Sequence, residues 1–205
     1  MNSKTSNSPL NRRSIRLAKY DYSTAGGYYI TVVTFQRECL FGEIINGRMK
    51  LSPSGEIVRR EWFRTAELRS YVELREEEFV VMPNHAHGII WIIDEARDGG
   101  GRVEMVRARR FRAPAASETV SEQFGRPVKG SIPTIVRAFK SAVTYYAGRE
   151  LNTANLWQRN YYEHIIRDTP DYERIATYIA HNPENWGEMR KTWVCCRHNP
   201  VRNIE

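Results

Sequence analysis

The sequence predicts an α+β fold, in which an antiparallel sheet carries helices on one face and a further helix follows at the carboxyl end. Two observations support this. Segments rich in β-branched and aromatic residues alternate with segments of helical apolar spacing. Their order is β-α-β-β-α-β plus one last helix, which is the split βαβ, or ferredoxin-like, pattern. The 205 residues fit a single domain, and 41% hydrophobic residues are enough for a core.

The first half of the chain predicts a strand, a small ribbon and a helix. Residues 26–36 combine aromatic and β-branched residues after a glycine pair, which is typical of a strand. Asn46 and Gly47 form a hairpin turn signal and predict a ribbon around residues 40–52. From residue 54 to about residue 74, apolar side chains recur at helical spacing. They are Ile57, Val58, Trp62, Ala66 and Leu68.

Two strands and a second helix follow. Strands at about 75–82 and 85–93 are separated by a Pro-Asn turn and therefore predict an antiparallel pair. Over residues 132–148, helical spacing places apolar residues on one face, and Gly148 is expected to end the helix. That face consists of Ile135, Val136, Phe139, Val143 and Tyr146.

The last predicted elements are a short strand over residues 157–168 and a helix. Thr169 is a candidate N-cap for this helix, with Pro170 at the first helical position. Because Pro183 cannot continue a helix, we expect this one to end near Asn182.

Composition divides the chain into a basic flexible arm (1–20), a folded domain (21–187) with a basic loop insert at about 97–130, and a tail (188–205). The net charge is +7. The arm holds five basic residues and no acidic one, and the insert holds eight basic and four acidic residues. Such segments favour a polyanion as partner, because neutralising phosphates releases counterions. Solubilising tails are the alternative, and composition leaves both open.

Composition also excludes several protein classes. The longest apolar runs fall far short of the roughly 20 residues that a membrane helix needs. The amino terminus lacks the apolar segment of a secretory signal, and three cysteines, two of them adjacent (Cys195 and Cys196), are too few for a disulfide framework. We therefore expect no membrane partner and a cytoplasmic location.

His85 and His87 are the first candidate site residues. Since the side-chain period of a strand is 2, both imidazoles project from the same face of the predicted strand. Two neutral imidazoles side by side form half of a divalent metal site. The alternative is one core histidine beside one exposed histidine, and this short motif leaves both interpretations open.

Tyr178 and Asn182 are the second candidate pair. They are four residues apart on the last predicted helix and so lie on one face. That face borders the apolar arc of Tyr172, Ile175 and Ile179. An amide oxygen is a suitable ligand for a hard metal ion. The alternative is that Tyr178 is an aromatic residue at the edge of the core and Asn182 a helix cap.

Taken together, three segments resemble the single-tyrosine HUH transposases. They are MPNHAHGIIWI at 82–92, WQRNYYEHIIRD at 157–168 and YIAHNPENW at 178–186. The branch that fits best is the REP-associated tyrosine transposases of bacteria, and the resemblance covers about residues 12–187. It implies that the domain over 21–187 is an HUH transposase-like domain.

The resemblance also implies roles for the candidate residues. His85 and His87 would bind Mg²⁺ or Mn²⁺, with support from Asn182, and Tyr178 would be the nucleophile on a catalytic C-terminal helix. The implied activity is endonuclease and strand transferase chemistry on single-stranded, hairpin-forming DNA, through a 5′-phosphotyrosine intermediate. The protein would be bacterial and nucleoid-associated, and would act as a monomer or a homodimer.

Three other interpretations are weaker. A catalytically silent protein that binds hairpin or single-stranded DNA is the main alternative. A metallohydrolase for small molecules lacks a carboxylate near the two histidines. A zinc site that includes Cys195 and Cys196 is disfavoured, because structural zinc cysteines are usually spaced as CxxC pairs.

The remaining polar and aromatic residues receive lesser roles. Charge and position suggest DNA contacts from Arg12, Arg13 and Lys140. His181 ranks second as a metal ligand, because it points about 100° away from its neighbour Asn182 around the helix. The competing tyrosines are expected in packing roles; they are Tyr145, Tyr146, Tyr161 and Tyr162.

Overall fold

The structure, a computed structural model, describes residues 20–93 and 128–187. In chain order its elements are β1 (Gly26–Val33), β2 (Gly42–Ile45), β3 (Arg48–Leu51), α1 (Pro53–Glu67), β4 (Val72–Glu73), β5 (Phe79–Met82), β6 (His85–Ile92), α2 (Ile132–Leu151), β7 (Tyr162–Ile166) and α3 (Thr169–His181). The predicted arm, most of the insert and the tail fall outside the described residues, so the predicted domain limits stay predictions.

The main sheet is antiparallel, with β1 and β6 at its centre. These two strands pair over their whole length, from Gly26 opposite Ile92 to Val33 opposite His85. On the outer side of β6 lie β4 and β5, and on the outer side of β1 lies β7. The first βαβ unit consists of β1, α1 and the strands β4 and β5, and the second consists of β6, α2 and β7. Each unit therefore has a strand of the other unit between its own strands. The predicted α+β, split βαβ fold is confirmed.

The two faces of the sheet are covered by different helices. On one face, Tyr28, Ile30 and Val32 of β1 belong to a large core built with residues of α1 and α2. On the other face, Tyr29 belongs to a smaller cluster with residues of β6, β7 and α3. We call the second side the α3 face. The arrangement agrees with the prediction of helices on one face and a separate last helix.

Gly88 shows how closely α1 approaches the sheet. A Cβ atom at this position would lie 2.4 Å from the Trp62 ring and 2.9 Å from the Phe79 ring. These two rings are stacked with their centroids 4.7 Å apart. A glycine in the middle of β6 therefore leaves the space that the aromatic packing under α1 requires.

The turn signals in the first half are confirmed, whereas the end of α1 differs from the prediction. Asn46 and Gly47 adopt φ values of 51° and 72° and join β2 to β3. Ser52 caps α1 by accepting a hydrogen bond from the backbone N–H of Gly55. The prediction that this helix reaches residue 74 is wrong, because the chain turns after residue 67 and adds the unpredicted strand β4.

The strand predicted at 75–82 begins only at Phe79. Residues Glu76–Glu78 form a 3-10 turn instead. The reason is that the turn places the Glu78 side chain inside the protein, where it accepts hydrogen bonds.

The other predicted boundaries need smaller corrections. Gly148 does not end α2, which continues to residue 151 and stops where Asn152 adopts a left-handed φ of 53°. The strand predicted over 157–168 is shorter at both ends and corresponds to β7. The N-cap of α3 is Asp168, whose side chain accepts from the N–H of Asp171, and not Thr169. In the described residues, no helix has the length and apolar character needed to cross a membrane.

Candidate functional site

The two histidines of β6 lie next to each other on the α3 face. Their ring centroids are 4.5 Å apart and both side chains are buried. In the pairing with β1, Thr31 lies opposite His87 and Val33 lies opposite His85. The strand period therefore does place both imidazoles on one face.

His85 is held in one tautomer by its neighbour. Asn84 donates its side-chain N–H to the carbonyl oxygen of Arg37, which identifies its Oδ1 as the atom 2.6 Å from His85 Nδ1. Nδ1 therefore carries the proton and Nε2 carries the lone pair. Burial, with a smaller contribution from the charge of Arg37, lowers the pKa of His85 to about 4. The ring is neutral at neutral pH.

His87 has one occupied and one open nitrogen. Its Nδ1 lies 2.7 Å from the hydroxyl of Tyr29 and 2.8 Å from the hydroxyl of Thr31. Its Nε2 is buried and has no hydrogen-bond partner among the described residues. Burial and then the adjacent His85 lower the pKa of His87 well below the usual value. A neutral imidazole that is fixed through Nδ1 is suited to bind a metal ion through Nε2.

Tyr178 of α3 lies against this pair in the same chain. Its ring centroid is 5.3 Å from that of His87, in an edge-on arrangement, and 6.5 Å from that of Tyr29. The side chain is 45% exposed. The phenol is therefore next to the imidazoles and still open to solvent and to a large substrate.

Asn182 follows one helical turn later and is almost completely buried. It is 1% exposed, and neither Oδ1 nor Nδ2 finds a hydrogen-bond partner within residues 20–93 and 128–187. Four residues further on, the ring of Trp186 lies 5.9 Å from that of His85. Asn182 thus falls in sequence between two aromatic residues that contact the histidine pair. A buried amide without partners costs about 1–3 kcal/mol of stability, so its presence needs an explanation.

A cavity of about 520 Å³ opens over the histidine pair and Tyr178, and Asn182 does not belong to its lining. Its walls come from β1, β6, α3 and the segment of residues 158–162, and Tyr178 and both histidines line it. Among the described residues, no Asp or Glu belongs to the lining, which includes Arg37 and Arg159. A cavity with cationic groups and no acidic group is suited to an anionic substrate.

The chemistry of the donors fits a divalent metal ion. Sequence analysis assigned three side chains to a metal, namely His85, His87 and Asn182. They provide two neutral imidazoles and one buried amide that has no hydrogen-bond partner among the described residues. Amide oxygen is a suitable ligand for Mg²⁺ and Mn²⁺, and neutral imidazole is the commonest side-chain ligand of metal ions in general. The described parts of the chain contain no group of three His, Cys, Asp or Glu side chains that could hold a metal ion. Three protein ligands would leave coordination positions for a substrate. Cys195 and Cys196 lie outside those parts.

A buried carboxylate at the other end of the α3 face holds α3 to the sheet. Glu78 accepts hydrogen bonds from Trp91 Nε1 at 2.6 Å, from the Tyr172 hydroxyl at 2.8 Å and from Arg75 at 3.2 Å. Burial, together with the bond to Glu78, raises the pKa of Tyr172 to about 12, so this hydroxyl remains a donor. Sequence analysis did not find this network, because three adjacent glutamates are usually a solvated surface.

The predicted DNA contacts lie in different places. Arg12 and Arg13 are outside the described residues. Lys140 donates from Nζ to the carbonyl oxygens of Gln158 (2.8 Å) and Asn160 (2.9 Å). Burial lowers the pKa of Lys140 to about 8. Two of its three donors therefore hold the segment that lines the cavity.

The competing tyrosines and histidines are placed as follows. The expectation that Tyr145 and Tyr162 are packed is wrong, since both are exposed. Neither ring is covered by other elements, because Tyr145 lies on the outer side of α2 and Tyr162 lines the cavity. His181 is exposed and hydrogen-bonds the carbonyl of its own helix at Thr177. The structure does not bring His181 into the cavity lining.

Sequence analysis missed the residues that orient the histidines, namely Tyr29, Thr31 and Asn84. One signal was present in the sequence. Asn84 directly precedes the histidine motif, and Asn is a common partner for a neighbouring side chain in a turn. Tyr29 and Thr31 could have been found only with the register between β1 and β6.

Comparisons with known proteins place the chain among relatives. No protein-family model matches it. An uncharacterized protein of Haemophilus influenzae is 40% identical over 175 residues, which are 85% of this chain and 89% of that protein. The chain belongs to the family of that protein.

A solved structure shares the fold. It is the structure of a REP-associated tyrosine transposase bound to a REP hairpin, with a TM-score of 0.53 and 19% sequence identity. The match covers 85% of this chain and 74% of that chain. At this identity the likeness shows a common fold, and the site has to be judged by its own residues.

Proposed function

We propose that the protein is a metal-dependent endonuclease and strand transferase for single-stranded DNA, with Tyr178 as the nucleophile. One observation carries the proposal: the accessible Tyr178 phenol lies edge-on to His87, one of two adjacent, buried and neutral imidazoles, in a cavity with no Asp or Glu among its described lining residues. The fold shared with a transposase bound to a hairpin supports hairpin-forming DNA as the substrate class. Such a substrate agrees with a location in the bacterial cytoplasm, at the nucleoid.

His85, His87 and Asn182 would hold Mg²⁺ or Mn²⁺. When bound, this ion would withdraw charge from the non-bridging phosphate oxygens and so favour nucleophilic attack on phosphorus. The hydrogen bonds of His85 to Asn84, and of His87 to Tyr29 and Thr31, would keep each Nε2 as the ligand atom. Arg37 and Arg159 in the cavity wall would offset the remaining negative charge of the DNA.

The covalent step forms one bond to phosphorus and breaks another. The Tyr178 oxygen loses its proton to the solvent that reaches this side chain and forms a bond to the phosphorus. The bond from phosphorus to the 3′ oxygen breaks, and that oxygen takes up a proton to become a free 3′-OH. The product is a 5′-phosphotyrosine that conserves the energy of the broken bond. A second 3′-OH can then reverse the step, which joins strands without ATP.

Tyr29 is a poor competitor for the role of nucleophile, although it lies in the same cavity. It is buried, and burial raises the pKa of its hydroxyl. Its oxygen is also engaged with His87. Because Tyr178 and the histidines come from one chain, one subunit contains every group that the proposal needs, and the oligomeric state stays a prediction.

A covalent adduct assay tests the proposal. Hairpin oligonucleotides with randomised single-stranded flanks are incubated with the protein and Mn²⁺, and the products are separated in denaturing gels. We expect the protein to attach to 3′-labelled DNA and 5′-labelled DNA to give a shorter free strand. Tyr178→Phe and EDTA should each reduce the adduct by at least about 10³-fold, because both remove a group that acts at the reacting phosphorus.

Tyr162→Phe is the matched control, because Tyr162 is exposed and lines the same cavity. It should form the adduct at the wild-type level. An adduct that survives in Tyr178→Phe but not in Tyr162→Phe would transfer the role to Tyr162. Tight hairpin binding with no adduct under any condition would instead support the alternative, a DNA-binding protein without catalysis.

A further inference from the structure

A second cavity lies beside the first, on the surface of α2. Its volume is about 550 Å³, and α2 contributes Arg137, Lys140 and Tyr145 to its lining. These positions recur at intervals of one to two helical turns and so share one side of the helix. Asn160 and Tyr161 line both cavities, so the two are separated only by this short segment.

The wall between the cavities is held in place from the α2 side. The two hydrogen bonds from Lys140 Nζ reach the carbonyl oxygens of residues 158 and 160. Trp157 Nε1 in turn donates to the Lys140 carbonyl oxygen at 3.1 Å. Three hydrogen bonds therefore join residues 157–160 to Lys140 of α2 and fix the wall between the two cavities.

The charge around the second cavity is strongly positive. Residues 128–162 contain five basic side chains and a single acidic one, Glu150. Glu150 is engaged by Arg60 at 2.9 Å, and it does not line the cavity. Arg137 and Arg159 form no ion pair with any residue that the structure describes. Both guanidinium groups are thus available for an anion.

Tyr145 presents an aromatic ring to solvent at the same place. It is 58% exposed, which is unusual for a tyrosine in the middle of a helix face. Its orientation is supported from both sides: the Tyr146 ring meets it edge-on with centroids 5.1 Å apart, and Arg149 donates to its hydroxyl at 3.3 Å. A supported, exposed ring in the same cavity as Arg137, which forms no ion pair with a described residue, offers a stacking surface for a base and a cation for its phosphate.

We propose that this second cavity binds the single-stranded flank of the DNA substrate, with Arg137 on a backbone phosphate and Tyr145 stacked on a base. The inference rests on the proposed function, since the first cavity is taken to hold the reacting phosphate. It adds a separate binding site on α2, reached across Asn160 and Tyr161. The stem of a hairpin would not occupy this site.

Binding measurements in EDTA separate this site from catalysis. Fluorescence anisotropy compares one hairpin without flanks and the same hairpin with eight-nucleotide flanks on the 5′ side, the 3′ side or both. Tyr145→Ala should weaken binding of a flanked hairpin about tenfold, and Tyr145→Phe should not, because the ring is what stacks. Arg137→Ala should also weaken it, and should lower the slope of log Kd against log salt by about 0.7.

The matched control is Arg59→Ala, which removes the same charge from the exposed side of α1, where Arg59 pairs with Glu76. It should leave both affinities unchanged, and none of the variants should alter the affinity for the hairpin without flanks. The site is refuted if Arg137→Ala and Tyr145→Ala bind flanked hairpins as tightly as wild type, or lose affinity equally for both DNAs. Adduct formation by the wild type would then leave the proposed function intact, whereas a wild type that binds neither DNA and forms no adduct would contradict both.

Discussion

The α3 face has two halves, which differ in whether their buried polar groups have hydrogen-bond partners. In the anchored half, formed by Glu78, Trp91, Tyr172, Ile175 and Ile179, the Glu78 carboxylate is 1% exposed and accepts three hydrogen bonds. In the open half, formed by Thr31, His85, His87, Tyr178 and Asn182, the amide of Asn182 is equally buried and accepts none. The same strand and the same helix build both halves.

On the proposed function, the polar group of the anchored half holds the fold and those of the open half hold a metal ion. A buried carboxylate with all its donors in place stabilises one packing arrangement of α3 on the sheet. A buried amide and a buried imidazole nitrogen without partners lower stability, and apolar residues at both positions would avoid this. The metal ion that we propose would give both atoms a partner.

Breaking the anchored half should have the largest effect on stability. Glu78→Ala leaves the donors of Arg75, Trp91 and Tyr172 without their acceptor, and we expect a loss of about 3–5 kcal/mol in the free energy of unfolding. Urea denaturation measures it. Glu76→Ala removes an equivalent carboxylate that is 77% exposed and should change stability by less than about 0.5 kcal/mol. Equal effects of the two substitutions would show that the network does not anchor α3.

The open half should make the metal-free protein sensitive to acid. The pKa of His85 is about 4 in the folded protein and near 6.5 in the unfolded chain. Between these pH values the unfolded chain therefore binds a proton that the folded protein does not bind. The contribution of the neutral His85 to the free energy of unfolding is fully present above pH 6.5. It is lost as the pH falls towards 4, by about 3 kcal/mol in total.

Urea denaturation in EDTA at pH 7, 6, 5 and 4 measures this loss. His85→Gln should make the profile less steep over this interval, with the remaining slope due to the buried His87, while His181→Gln, at an exposed position, should leave it unchanged. A wild-type profile that matches that of His85→Gln would contradict the assignment of a buried, neutral His85.

The smallest effect on stability is expected at Asn182. Asn182→Leu replaces a buried amide without partners by an apolar side chain of similar size, so the metal-free protein should become more stable by about 1–3 kcal/mol. Wild type should gain about 2.7 kcal/mol when Mn²⁺ is present at 100 times its Kd, and the variant should lose this gain. Thermal unfolding with and without Mn²⁺ measures both quantities.

Asn182→Asp serves as the control for this pair of measurements. It keeps an oxygen ligand and should retain the stabilisation by Mn²⁺, although the buried carboxylate lowers the stability of the metal-free protein. If Mn²⁺ stabilises Asn182→Leu as much as wild type, Asn182 is not a ligand.

Much of the fold was predictable because it depends on local periodicity. The alternation in HAHGIIWI places His85 and His87 on one face of β6, and helical spacing places Ile175 and Ile179 on the buried side of α3. Boundaries were less predictable where tertiary contacts decide them. The 3-10 turn before β5 exists because Glu78 finds three donors inside, and nothing near it in sequence indicates those donors.

The candidate site shows the same division. Tyr178, Asn182 and the two histidines were proposed from spacing and from the resemblance to HUH transposases. The partners that orient the imidazoles, Tyr29 and Thr31, depend on the register of β1 against β6 and were missed. A register is set by pairing between distant segments, so no local pattern contains it.

By itself the sequence determined which side chains share a face, because the periods of strand and helix follow from backbone geometry. It also determined the chemical types available: two imidazoles, a phenol, an amide and an excess of positive charge. Only the tertiary structure decided that α3 lies on the histidine side of the sheet and that Tyr178 meets His87. That choice depends on packing between residues about 90 positions apart, where burial of Ile175, Ile179 and Trp91 and the bonds to Glu78 outweigh any local preference.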